Sequence, residues 1–247
     1  MSIEFIDVVK RFGTHTVLDG VTLSVPTGEV HFVVGPSGTG KSVLMKHAIG
    51  LLKPDSGEVH VDGMRVDTMD EPALFAVRRR LGYVFQHPTL LDALTLQENV
   101  AMPLVRREGR PRREAKAIAA RWLQRVGVAE ADAWPAGVGD GVKKRAAIAR
   151  ALALEPRYVI YDEPTTGLDP INARRIDRLI RRLADETGVT AIVVSHDLQS
   201  IFGIADRVAF LYRGRIHSVL SAEAFRESSD PLLRQFATGA PEGPLEL

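Results

Sequence analysis

A chain of 247 residues has room for one large α/β domain or two small ones, and its 45% hydrophobic and 26% charged residues exclude a disordered chain, a collagen-like chain and a coiled-coil rod. Lys and Arg number 32 against 31 Asp and Glu, a formal net charge of +1, which gives no support for a dedicated nucleic-acid binder. The absence of cysteine removes disulfides, thiolate zinc sites, Fe–S ligation and cysteine nucleophiles. No apolar run reaches the roughly 18 residues that span a bilayer, and the start MSIEFIDVVKRF does not read as a signal peptide. The expectation is a cytosolic chain whose membrane part, if it has one, comes from a partner.

Residues 2–9 and 21–25 alternate as half-buried strands do, with Gly13 and Gly20 punctuating the connection. Val30–Val34 is a short apolar run ending at Gly35, the pattern of a buried strand. A helix is predicted from residue 41 to about 51, stopped by the turn sequence Lys53-Pro54-Asp55-Ser56-Gly57. GEVHVDGMRV reads as a hairpin turning at Asp62-Gly63. Residues 81–85 form another strand-like run. Over residues 88–150 helical patterns take over, notably 113–126, where Ile118, Trp122, Leu123 and Val126 share a face. Strands then return: 158–161 leads to Asp162, Thr190–Val194 to Ser195-His196, and Arg207–Tyr212 to Gly214, with a helical stretch at 173–185. The reading is an α/β core over residues 2–228 with a mainly parallel sheet, an antiparallel β subdomain and a helical insertion at about 88–150, and an arm over 229–247. Trp122 and Trp134 read as packing residues.

Gly35-Pro36-Ser37-Gly38-Thr39-Gly40-Lys41-Ser42 matches GxxxxGK[ST] between a buried strand and a helix. Its glycines let successive N–H groups point at phosphate oxygens, and the helix N-terminus adds partial positive charge. Lys41 reaches for β- and γ-phosphates, and the Ser42 hydroxyl is a Mg2+ ligand. About 120 residues later, the apolar strand Tyr158-Val159-Ile160-Tyr161 ends in Asp162-Glu163. Asp162 is placed to hold Mg2+ beside the loop, and Glu163 to polarise the attacking water. Gln86 can bring its side-chain oxygen to the metal or the water. His196 closes a strand at the edge where parallel sheets bind ligands. His15, His31, His47, His60, His87 and His217 show no metal-ligand spacing and read as structural or exposed.

With these elements in order, the chain resembles the ATPase subunit of an ABC transporter. GPSGTGKS looks like the Walker A loop, Gln86 like the Q-loop and VIYDE like Walker B. TTGLDP at 165–170, with Asp169, looks like the D-loop, and SHD at 195–197 like the switch histidine. The resemblance makes Phe12 the aromatic that stacks on adenine with Val17 beneath it, and extends the phosphate contacts to Val43. FQHPTLLDALTLQENVAMPL, HDLQSIFGIADRVAFLYRGRI and the tail RQFATGAPEGPL are similar to the ATPase of Mla/Mce-type phospholipid transporters. That resemblance implies ATP and Mg2+ as ligands and a second copy forming an ATP-sandwich dimer. It also implies permease subunits, an Mce-domain lipid-binding partner and a place on the cytoplasmic face of the inner membrane. An amino-acid or metal-chelate importer, or a weakly hydrolysing regulatory module, are the alternatives.

The signature loop departs from the family pattern. Where LSGGQ or LSGGM is expected, the chain reads Val138-Gly139-Asp140-Gly141-Val142, losing a Ser hydroxyl at Gly139 and gaining a carboxylate at Asp140. The family places this loop against the γ-phosphate bound to the opposite subunit. Asp140 then either repels that phosphate or turns away and caps the next helix. The apolar residues of 90–104 (Leu90, Leu91, Leu94, Leu96, Val100, Met102, Leu104) are the expected permease-docking surface, with insertion core as the other reading.

Overall fold

The computed structural model describes residues 1–245. Two sheets share one molecule. The antiparallel sheet runs in the order β2-β1-β4-β5, from β1 (Ser2–Phe12), β2 (His15–Pro26), β4 (Ser56–Val61) and β5 (Met64–Arg65). β1 and β2 are longer than the alternation suggests because register shifts between Phe5 and Val8, and again at Val9 and Arg11, break the two-residue period. Asp62 and Gly63 both take positive φ (50° and 78°), the geometry an Asp-Gly hairpin turn requires.

The second sheet runs β10-β9-β3-β8-β7-β6, from β3 (Val30–Val34), β6 (Leu81–Val84), β7 (Tyr158–Asp162), β8 (Thr190–Val194), β9 (Arg207–Tyr212) and β10 (Arg215–Ser221). All neighbours are parallel except β10, which folds back on β9. Alternate residues feed two cores. Phe32, Val34, Tyr161, Val193 and Phe210 face one side, and Val33, Ile160, Ile192, Val194 and Leu211 face the antiparallel sheet and helix α1 (Lys41–Ala48). Burial on both faces explains why these strands read as unbroken apolar runs.

The first core is roofed by α3 (Leu96–Glu108), α4 (Arg112–Arg125), α5 (Asp140–Leu152) and α6 (Pro170–Thr187), while α2 (Glu71–Arg78) covers the second. Thr95 and Glu98 start α3 with a reciprocal capping box. Leu96, Val100 and Leu104 point into the core, so the expected docking surface is reduced on this helix to partly buried Met102 and, ahead of it, to Leu90, Leu94 and exposed Leu91. The physical reason is helical spacing: residues four apart share the buried stripe. Trp122 packs as expected, whereas Trp134 is 52% exposed and is not a packing residue.

The C-terminal segment is not a free arm. After α7 (Leu198–Ile204) and α8 (Ala222–Arg226), Asp230 caps α9 (Pro231–Thr238), whose Leu233 is buried in the first core. Residues beyond the helix fold back, with Leu245 N–H donating to Gln235 Oε1 at 2.7 Å. Asp-Pro-Leu-Leu is a helix start whose apolar face only the core makes visible.

Candidate functional site

The phosphate loop is shaped by close approach. Gly35 sits at φ +147°, and a Cβ there would lie 2.1 Å from the Leu211 carbonyl oxygen of β9. Gly40, at φ +96°, opens α1 and leaves no room beside Val17. Any side chain at either position would push the strand and loop apart. α1 has no side-chain N-cap and no acid of its own in its first turn, so its positive end is turned to the loop. Lys41 lies inside the curl, its Nζ donating to the carbonyls of Gly35 (2.8 Å) and Pro36 (2.7 Å). Burial lowers the pKa of Lys41, and the carboxylates of Glu163 and Asp162 oppose that shift.

β7 delivers the two acids to this loop. Asp162, 5% exposed, accepts from Ser42 Oγ at 2.6 Å and from Tyr83 Oη at 2.9 Å. The buried Tyr83 hydroxyl is pushed well above its ordinary pKa, first by desolvation and then by the Asp162 charge. Glu163 adopts a left-handed backbone, φ +50°. Its Oε1 lies 3.0 Å from His196 Nδ1, and its Oε2 accepts from Thr166 Oγ1 at 3.0 Å. Tyr83 escapes motif reading, and Thr166 is read only as part of the D-loop-like TTGLDP, not as a partner of Glu163. Each stands three residues from a named motif residue, Gln86 and Glu163, and only a strand register or a turn brings it into contact.

A cleft of about 490 Å³ collects most of the expected residues. Phe12 and Val17 form one wall, Ser37, Gly38, Gly40, Lys41, Ser42 and Val43 the floor, and Gln86, Glu163 and His196 the far side. Phe12 is 49% exposed, offering a ring face at the mouth. His15 also lines the cleft beside Phe12, which adds a polar ring to a wall expected to be apolar. Gly35, Pro36 and Thr39 complete the loop; Thr39 Oγ1 donates to the Pro36 carbonyl at 2.9 Å.

Gly139, Asp140, Gly141 and Asp169 do not line this cleft. Gly139 is the N-cap of α5 and supplies no side-chain bond. Asp140 is therefore the first helical residue, not the cap; its carboxylate accepts from Lys143 Nζ at 3.3 Å and favours the helix dipole from an exposed position. Asp169 caps α6 through the backbone N–H groups of Ile171 and Asn172, each at 3.0 Å, and these bonds hold its pKa low. Ser42 and Asp162 are the hard oxygen donors that fit Mg2+, which keeps several waters and needs few protein ligands. Among the described residues no three His, Asp or Glu side chains converge on a denser metal site.

Residues 18–166 match the family model of the ABC transporter. The chain is 43% identical over 215 residues to the methionine import ATP-binding protein MetN of Mesorhizobium japonicum, covering 87% of this chain and 59% of that one. To MetN of Caulobacter vibrioides it is 44% identical over 217 residues, covering 87% and 65%. The chain thus spans about three fifths of the length of these curated relatives. Among solved structures, the dimeric ATP-binding cassette MJ0796 in a post-hydrolysis state with ADP and Pi superposes with a TM-score of 0.82 at 30% identity, covering 89% of this chain and 98% of that one. CbiO1 of Clostridium perfringens, part of the transporter complex CbiONQ, gives 0.82 at 30% identity with 91% and 90% covered. The cleft, the order of its motifs and these likenesses place the chain in the ABC transporter family, as an ATP-binding domain.

Proposed function

We propose that the chain is the ATP-hydrolysing subunit of a membrane ABC transporter, working as a dimer. The observation that carries this is the pairing across one cleft: Ser42 with Asp162 on the metal side of Lys41, and Glu163 with His196 on the water side. The Lys41 ammonium and the loop amides bind the β- and γ-phosphates. Phe12 offers the adenine a stacking face. Mg2+, when bound, neutralises charge on the transferring phosphate. The Glu163 carboxylate takes a proton from the attacking water, and His196 and Thr166 fix its two oxygens in place. The signature loop at Gly139–Gly141 lies outside the cleft, which fits a role toward nucleotide on a second copy. The solved dimer of MJ0796 supports that assembly.

Among the described residues no helix is long and apolar enough to cross a membrane. In this reading permease subunits supply that part and hold the chain at the cytoplasmic face. The methionine-import names of relatives at 41–44% identity support an importer of a small solute. Those names speak for methionine and not for lipid, so the phospholipid reading and its Mce-domain partner take second place.

Glu163→Gln tests the mechanism. The amide is nearly isosteric and cannot accept the proton, so turnover is expected to fall at least about 10²-fold while ATP binding persists. ATP with Mg2+ is expected to drive the variant into a dimer on size exclusion. Wild-type turnover, or a variant that stays monomeric with ATP, overturns the proposal. Stimulation of the reconstituted transporter by L-methionine or by phospholipid then separates the two cargoes.

A further inference from the structure

The helix that follows the signature loop is tied to the turn carrying Glu163 by a buried ammonium. Lys144, in the second turn of α5, is only 5% exposed. Its Nζ donates to the Thr166 carbonyl at 2.7 Å and, more weakly, to the Glu163 carbonyl at 3.4 Å. These two carbonyls bracket one tight turn, closed by Thr166 N–H on the Glu163 carbonyl at 3.3 Å and by Thr166 Oγ1 on the Glu163 carboxylate. A non-glycine residue at φ +50° persists only when its surroundings hold it, and Lys144 is part of that hold on Glu163.

Burying an ammonium is costly, and an apolar side chain would fill the same space without that cost. Here desolvation lowers the Lys144 pKa, and the Asp140 and Glu163 carboxylates oppose that shift. Asp140 is the residue by which the signature loop departs from its family pattern, and it stands one helical turn before Lys144. Asp140 itself is exposed and pairs with Lys143, so the grip on the turn rests on the Lys144 hydrogen bonds. On the same helix, Gly141 faces Asn172, next to the D-loop.

We infer that Lys144 is a positioning residue that couples the signature helix to Glu163. In the dimer proposed above, on which this inference rests, the signature loop and Glu163 of one chain serve different nucleotides. Movement of α5 toward the partner's nucleotide would then be felt at Glu163 through the Lys144 bonds to the turn, linking the two sites.

Lys144→Met and Lys144→Arg in the full chain test this. Lys144 does not line the cleft, so Lys144→Met is expected to bind a fluorescent ATP analogue within about 3-fold of wild type while kcat falls about 10- to 100-fold with KM nearly unchanged, the scale of a small misplacement at the chemistry. Lys144→Arg keeps the donors and is expected to recover most of kcat. Amide hydrogen exchange over residues 163–168 is expected to quicken in Lys144→Met and to stay slow in Lys144→Arg. A folded Lys144→Met with wild-type kcat, or with unchanged exchange at 163–168, overturns the inference. If Lys144→Met does not fold, Lys144→Gln, which keeps a neutral donor, carries the same comparison. A wild-type chain that does not hydrolyse ATP overturns the proposed function instead, and the exchange measurement still decides whether Lys144 holds the turn.

Discussion

Lys41 shows how a side chain can be buried and still available. Its ammonium donates to two carbonyls of its own loop, groups that give way to phosphate oxygens of greater negative charge. Lys41→Ala leaves those carbonyls on a loop, not in a core, so the fold is expected to survive. Nucleotide affinity is expected to drop about 10- to 100-fold, because a hydrogen bond to a charged group contributes about 1.5–3 kcal/mol. Titration with a fluorescent nucleotide, beside a circular dichroism melt, checks both halves. Tyr83 acts on the other side of the same floor. Its hydroxyl holds one Asp162 oxygen while Ser42 holds the other, so the carboxylate has little freedom to rotate. Tyr83→Phe removes that bond and keeps the ring, which packs on Phe85 at 4.3 Å between centroids. The expected result is a Mn2+ affinity, measured by electron paramagnetic resonance with nucleotide present, lowered about 10-fold, the lower end for an outer hydrogen bond to a metal ligand. Equal affinity would mean that Ser42 alone orients Asp162.

Helix α3 separates core from surface within one apolar sequence. Leu104 is 1% exposed, whereas Leu91, just before the helix, is 46% exposed. Leu104→Ala is expected to cost about 2–5 kcal/mol by urea denaturation, the cost of a cavity in a close-packed core. Leu91→Ala is expected to stay within about 0.5 kcal/mol and to weaken binding of a permease instead. If Leu91→Ala destabilises the isolated chain as much as Leu104→Ala does, the segment before α3 is core and no docking surface lies there. The capping box Thr95-Glu98 explains why the helix begins between these two residues: once the cap turns the chain into α3, only the stripe every three or four residues enters the core.

At the scale of the whole molecule, two buried histidines make stability depend on pH just below neutrality. Burial lowers the pKa of His31 on β3 and of His47 on α1, in each case against weaker opposing contacts from Glu29 and the Val43 carbonyl. A histidine whose folded pKa lies below its unfolded value, 6.5, stabilises the fold fully above that pH and loses its contribution as pH falls. The buried Asp177 has a raised pKa, so its contribution improves as pH falls and opposes the loss. The melting temperature is therefore expected to decline as pH drops below about 6.5, and the decline is expected to flatten in a His31→Gln, His47→Gln double variant. A double variant with the wild-type slope would assign the pH dependence to other groups.

What could be read from the amino acids alone is what is local. The loop from Gly35 to Ser42, the apolar strands at Val30–Val34, Thr190–Val194 and Arg207–Tyr212, and the Asp62-Gly63 turn are written in adjacent residues, because turn chemistry and burial on both faces act over a few positions. The motifs of the cleft were legible for the same reason. Bulges hid the full length of β1 and β2, and an apolar face seen only against the core hid α9. Which side chain holds which in the site is a matter of three-dimensional packing: Ser42 meets Asp162 across 120 residues, Tyr83 meets it across 79, and His196 meets Glu163 across 33. Packing also makes Asp140 the start of a helix that Gly139 caps, and brings Lys144 to the Glu163 turn. Such pairings follow from strand order and register, which place distant side chains within hydrogen-bond distance by the packing of the whole sheet and not by spacing along the chain.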